Sequence, residues 1–115
     1  EAIAAALAVL KHGRSHHYNE AEGEMAETVM LELEFSAQMG ARYCLAMASV
    51  GHALATALRA VGVKPGDKVL INAFTLAPVP GAIASVGAVP VFVGVTDGLV
   101  IDLEDLAAKA GQANV

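Results

Sequence analysis

The sequence predicts an α/β fold with parallel strands, and three observations predict it. Short apolar runs alternate with alanine-rich stretches of helical length from residue 42 onward, the order of βαβ units. The apolar share is 56% but the aromatic share only 4%. That describes a core of Ala, Val, Leu and Ile, suited to strands covered by helices on both faces. The joints between runs carry turn residues, "KPGD" at 64–67 and the proline-rich "APVP" at 77–80, which stop one element before the next begins.

Residues 2–10 form an alanine-rich helix ending near Lys11, His12 and Gly13, with basic residues where the helix dipole favours them. After the polar loop "GRSHHYN", Asn19 is the expected N-cap of a second helix with Glu20 and Glu22 in its first turn. That helix is expected to run to Met39, with Gly40 as its C′ residue. "RYCLAMA" (42–48) then reads as a strand and "GHALATALRAVGV" as a helix. "KVLINAF" is a second strand, "APVPGAIASVGA" a short helix and "VPVFVGV" a third strand. "DGLVIDLEDLAAKAG" supplies a turn, a short extended piece and a last helix, capped by Asp102 with Glu104 and Asp105 in its first turn. The expected division is residues 1–40 as helices and loop, and 41–115 as the first βαβαβ portion of a larger domain.

A chain of 115 residues supplies one domain. It opens on Glu1 rather than Met and is rich in small apolar residues, which leads us to expect a piece of a larger protein. The net charge of −5, with no Lys/Arg cluster, argues against a nucleic-acid binder. The opening "EAIAAALAVLKHG" has no basic flank and is too short to span a bilayer. One cysteine, Cys44, excludes an internal disulfide; a buried thiol in the first strand and a cytoplasmic setting are expected.

In an open parallel sheet, ligands bind beyond the carboxyl ends of the strands. "MASVGHA", "NAFTLAPVP" and "VGVTDG" meet there. The first is a helix start with Ser49, Gly51 and His52, where backbone N–H groups and the dipole favour an anion; taken alone, such a start is more often an ordinary N-cap. His12, His16, His17 and His52 raise a metal, but no acid or cysteine lies at a persuasive spacing. Asp97 and Asp102 are explained by turn formation and capping, and Cys44 by packing.

The ordered series from Glu32 to Val95, "F…G", a strand ending in "Ser-Val-Gly", "AL…AL.A.G", "KPGDKV", "FTL.P" and "GA.PVFV", resembles the DegT/DnrJ/EryC1/StrS sugar aminotransferases. These are pyridoxal-phosphate enzymes of fold type I. "DLEDLAAKA" suits the segment that follows. The resemblance implies that the coenzyme phosphate rests on Ser49, Val50, Gly51 and His52, and that Leu76 lies against the pyridine ring. It implies a homodimer that passes an amino group from a donor such as glutamate to a keto-sugar. The coenzyme-bearing lysine and the aspartate of the pyridine nitrogen come later in such chains, so no catalytic residue is expected among these 115 and the chain alone is expected to be inactive. Two segments depart from the pattern: "Ser-Val-Gly" replaces "Ser-Gly-Thr" at positions 50 and 51, and Leu76 replaces an aromatic. They keep open a second reading, a non-catalytic anion-binding relative; a third reading is an α/β piece that self-associates through its uncovered sheet and helix faces.

Overall fold

The structure, a computed structural model, describes residues 1–13 and 25–112. It divides into two compact units, Glu1–Ala46 and Met47–Val115.

The first unit holds helices α1 (Ala2–His12) and α2 (Glu27–Met39). Helix α1 ends as the sequence predicts, on Gly13 in the left-handed region. Helix α2 begins later than expected within the described residues: Ala26 is extended at φ −64°, ψ 143°, and makes no side-chain cap. Nothing in the structure explains the late start. The predicted cap Asn19, with Glu20 and Glu22, lies outside the described residues, as do His16 and His17. At the other end Gly40 takes φ 63°, Gly40 N–H donates to Ala37 and Ala41 N–H to Ser36. These two bonds satisfy the last carbonyls in a Schellman pattern.

Residues 42–48 were expected to be a strand and are not one. A strand exists by its ladder, and no described segment pairs with this one. Its Ala46 N–H donates instead to Glu32 Oε1 at 2.7 Å. Cys44 is accordingly half-buried rather than enclosed in a sheet.

The second unit follows the predicted alternation. Helix α3 (Val50–Ala60) leads to strand β1 (Lys68–Asn72), helix α4 (Pro78–Ser85), strand β2 (Val89–Val93) and helix α5 (Leu103–Ala110). The strands pair in parallel, Lys68 beside Val89 and Asn72 beside Val93. Helices α3 and α4 pack on each other. The core is aliphatic: Ala55, Ile71, Ala82, Ile83, Val86 and Ala88 form one buried cluster, with Leu54, Leu58, Val69 and Val79 against it.

Glycines at positive φ turn the chain back toward the sheet. Gly62 and Gly87 both end helices with the paired bonds seen at Gly40: Val63 to Leu58 and Gly62 to Arg59, then Ala88 to Ile83 and Gly87 to Ala84. "KPGD" closes with Asp67 N–H on Lys64 C=O and Gly66 at φ 89°, the pattern Pro-Gly favours in a type II turn. Strand β1 stops at Asn72, whose side chain accepts from Phe74 N–H at 2.9 Å. Beyond β2, Val95 bridges Ile101 in antiparallel fashion across a loop in which Leu99 takes φ 59°. Asp102 caps α5 as predicted, accepting from Glu104 and Asp105 N–H.

Two measurements test this framework. Gly87 sits at φ 81°, and a Cβ there would meet Pro65 Cβ at 3.0 Å. Gly87→Ala therefore combines a disfavoured backbone with a clash, and denaturant unfolding should show a loss of about 2 kcal/mol. An unchanged midpoint would contradict the geometry. The second concerns Asp105, whose carboxyl is held below the usual range by Gly94 N–H and then by Lys109. Its folded pKa lies below its unfolded one, so its contribution is full above roughly pH 4 and fades as pH falls through the folded value. The melting temperature should fall with acidification in that window, and more gently in Asp105→Asn.

Candidate functional site

Because β1 and β2 run parallel, the carboxyl end of β1 and the starts of α3 and α4 gather on one rim. Ser49 is extended at φ −154°, ψ 151°, and its hydroxyl accepts from His52 N–H at 3.3 Å. Its carbonyl accepts from Ala53 N–H. The N–H groups of Val50 and Gly51 then have no acceptor among the described residues. These are the orphan donors every helix start leaves, and the dipole adds partial positive charge there. The first turn of α3 carries no acidic residue. The turn therefore presents two donors, an exposed hydroxyl and no competing carboxylate, an arrangement that accepts a phosphate or carboxylate.

The predicted site residues divide into two places. Ser49, Val50, Gly51 and His52 are gathered in one turn by the helix itself, with His52 exposed and Val50 72% exposed. Of the four, His52 spends its backbone N–H on the cap, so Val50 and Gly51 hold the available amides. Leu76 belongs to the joint before α4; its carbonyl accepts from Val79 N–H and its side chain is 76% exposed. The joint reaches α3 through Pro78: a Cβ built on Gly51 would lie 3.7 Å from Pro78 Cβ. This contact was not foreseen from the sequence. Its signal was present in "APVP", since a proline at the first helical position suits a start and offers a flat face to a neighbouring glycine.

Below this rim an open groove of about 520 Å³ runs between α3 and α4, lined by Gly51, Ala55, Gly81 and Ala82 with His52 and Arg59 on the α3 side. Arg59 donates across it to the Ser85 carbonyl at 3.3 Å, satisfying the end of α4. Among the described residues no cluster of three or more His, Cys, Asp or Glu could hold a metal ion, and no helix is long and apolar enough to cross a membrane.

Comparison with known proteins now bears on this geometry. Residues 1–112 match the model of the DegT/DnrJ/EryC1/StrS aminotransferase family. The chain is 42% identical over 67 residues to a UDP-N-acetyl-3-dehydro-α-D-glucosamine 3-aminotransferase of Acidithiobacillus ferrooxidans, over 58% of this chain and 18% of that protein. It superposes with a TM-score of 0.78 on an aminotransferase from Psychrobacter cryohalolentis, 27% identical, covering 92% of this chain and 26% of that one. It superposes at 0.74 on the Streptococcus pneumoniae protein Spr1654 in its PLP form, 28% identical, covering 90% of this chain and 26% of that one. The matched part thus spans about a quarter or less of the length of these relatives.

The cap has a direct test. Ser49→Ala removes the acceptor for His52 N–H and should cost about 1 kcal/mol in urea unfolding. The helical signal of α3 should persist. A loss within error of zero would mean that Ser49 does not hold the first turn.

Proposed function

The chain belongs to the DegT/DnrJ/EryC1/StrS aminotransferase family, and from that membership we propose that the protein it forms part of is a pyridoxal-phosphate aminotransferase. On this reading the enzyme moves an amino group from a donor such as glutamate to a keto-sugar. The match along residues 1–112 carries the reaction class. The relatives' printed descriptions, a nucleotide-sugar aminotransferase among them, support the substrate class. The second reading, a non-catalytic relative, has no observation in its favour beyond the two departures.

The residues at the rim fit the coenzyme. Val50 and Gly51 amides and the Ser49 hydroxyl would take its phosphate, and His52 stands beside them in the same turn. Leu76 would lie against the ring as an aliphatic wall, excluding water from one face without an aromatic surface. When bound, the coenzyme supplies the electron sink, while the protein orients it and moves protons. Two lysines of the second unit, Lys68 and Lys109, are poorly placed to carry it. Lys68 opens β1 at the end opposite the rim, about 13 Å of strand away at the usual rise. Lys109 is engaged by Asp105 and the Phe92 carbonyl. This supports a coenzyme lysine from elsewhere in the protein, and with it a division in which these residues hold the phosphate. A homodimer and a cytoplasmic location complete the proposal, resting on the family resemblance and, for the location, on the single unpaired cysteine.

Val50→Pro isolates the amide. Proline suits the first helical position, and Ser49 already has the extended backbone that a residue before proline requires. The substitution should leave the circular dichroism of the protein unchanged. It should weaken pyridoxal-phosphate binding, followed by calorimetry, about tenfold or more, as loss of one hydrogen bond to a charged group implies. Unchanged affinity would remove α3 from the phosphate site, and a full-length protein that never binds the coenzyme would overturn the aminotransferase reading.

A further inference from the structure

The outer edge of β2 is closed by side chains of α5. Strand alternation sends the backbone groups of Val89, Val91 and Val93 toward β1, as the bonds Val89 N–H to Asp67 and Ala73 N–H to Val93 show. Those of Pro90, Phe92 and Gly94 therefore face outward. Pro90 has no N–H to offer. The Phe92 carbonyl accepts from Lys109 Nζ at 2.7 Å. Gly94 N–H donates to Asp105 Oδ2 at 2.7 Å, and the Gly94 carbonyl accepts from Asp102 N–H at 2.9 Å. Lys109 and Asp105 are themselves paired at 2.7 Å, one helical turn apart. Of the outward row, the Pro90 carbonyl and Phe92 N–H are left without a partner among the described residues.

An edge strand is a template for another strand, and this one is apolar in sequence, with Phe92 exposed. We propose that α5, through Lys109 and Asp105, guards the edge of β2 and prevents a second copy of this chain from adding a strand to it. The guard works by occupancy: each side chain takes the position that a partner strand's backbone group would need. Pro90 does the same by lacking a donor. Coenzyme binding plays no part in the argument.

The test reopens the edge without unfolding the unit. Pro90→Val restores a donor, and Lys109→Met frees the Phe92 carbonyl while keeping the apolar stem. In the full chain carrying both, sedimentation velocity should show concentration-dependent association toward twice the mass of the unsubstituted protein, with slowed hydrogen exchange at the amides of positions 90 and 92; Gly94 N–H stays on Asp105. Lys64→Met, in the "KPGD" turn, should stay at the parent mass. A folded double variant that remains at the parent mass overturns the proposal. So does association that leaves the amides of positions 90 and 92 unchanged, or an equal response in Lys64→Met. Should Lys109→Met loosen α5, Lys109→Leu, which also frees the Phe92 carbonyl and is at least as good a helix former, replaces it beside Pro90→Val and is read against the same outcomes.

Discussion

The parallel pairing of β1 with β2 is the constraint from which the second unit follows. Parallel neighbours cannot be joined by a tight turn, so the chain must cross over, and α4 is that crossover. Because α4 starts where β1 ends, its first turn falls at the carboxyl rim of the strand. Helix α3 packs on α4 and its first turn is brought to the same rim, with Gly51 against Pro78. The helix starts expose N–H groups there because no preceding turn can accept them. A rim that exposes backbone donors is thus a consequence of strand direction.

The return path depends on glycine. Gly62 and Gly87 take positive φ and allow the paired end bonds that release the chain from a helix. Pro65 lies so close to Gly87 that a Cβ at 87 would press on it at 3.0 Å. The turn before β1 and the turn before β2 are therefore packed together, and Gly66 N–H donates to the Gly87 carbonyl. That contact aligns the starts of the two strands, from which the register Lys68 to Val89 follows. With small residues in the core, such backbone-level fits replace the volume that aromatics would supply.

How far the sequence could be read follows from which signals are local. Caps, turn glycines and apolar alternation lie within a few residues of what they control. Helices α3, α4 and α5, both strands and the Asp102 cap were accordingly legible. Residues 42–48 carry the composition of a strand, yet a ladder needs a neighbour, and composition says nothing about whether one is present. The expected burial of Cys44 failed for the same reason. The start of α2 was misplaced because Ala26 turns extended with no side-chain feature to mark it. At the site, the Ser49 to His52 turn was legible because a single helix assembles it. The contact between Gly51 and Pro78, and the closure of the β2 edge by Lys109 and Asp105, join residues distant in sequence and left only their chemistry as a hint.

The departures from "Ser-Gly-Thr" weigh less once donors are separated from side chains. On the proposed reading, the groups that would face an anion at the start of α3 are amides, and their direction is set by helical backbone and by the Ser49 cap. Val50 in place of glycine leaves its N–H where it was, since valine takes helical φ and ψ with only a modest propensity penalty. Gly51 in place of threonine loses a hydroxyl, and a Cβ there would still clear Pro78 at van der Waals distance, so the glycine is not imposed by that neighbour. On the proposed reading, then, the phosphate is held chiefly by backbone, and the missing hydroxyl lowers affinity without moving the site. The substitution at 76 acts differently, because ring stacking is a property of the side chain and an aliphatic residue cannot reproduce it. Of the two departures, Leu76 is the one that, on the proposed reading, bears on how a coenzyme ring would be held.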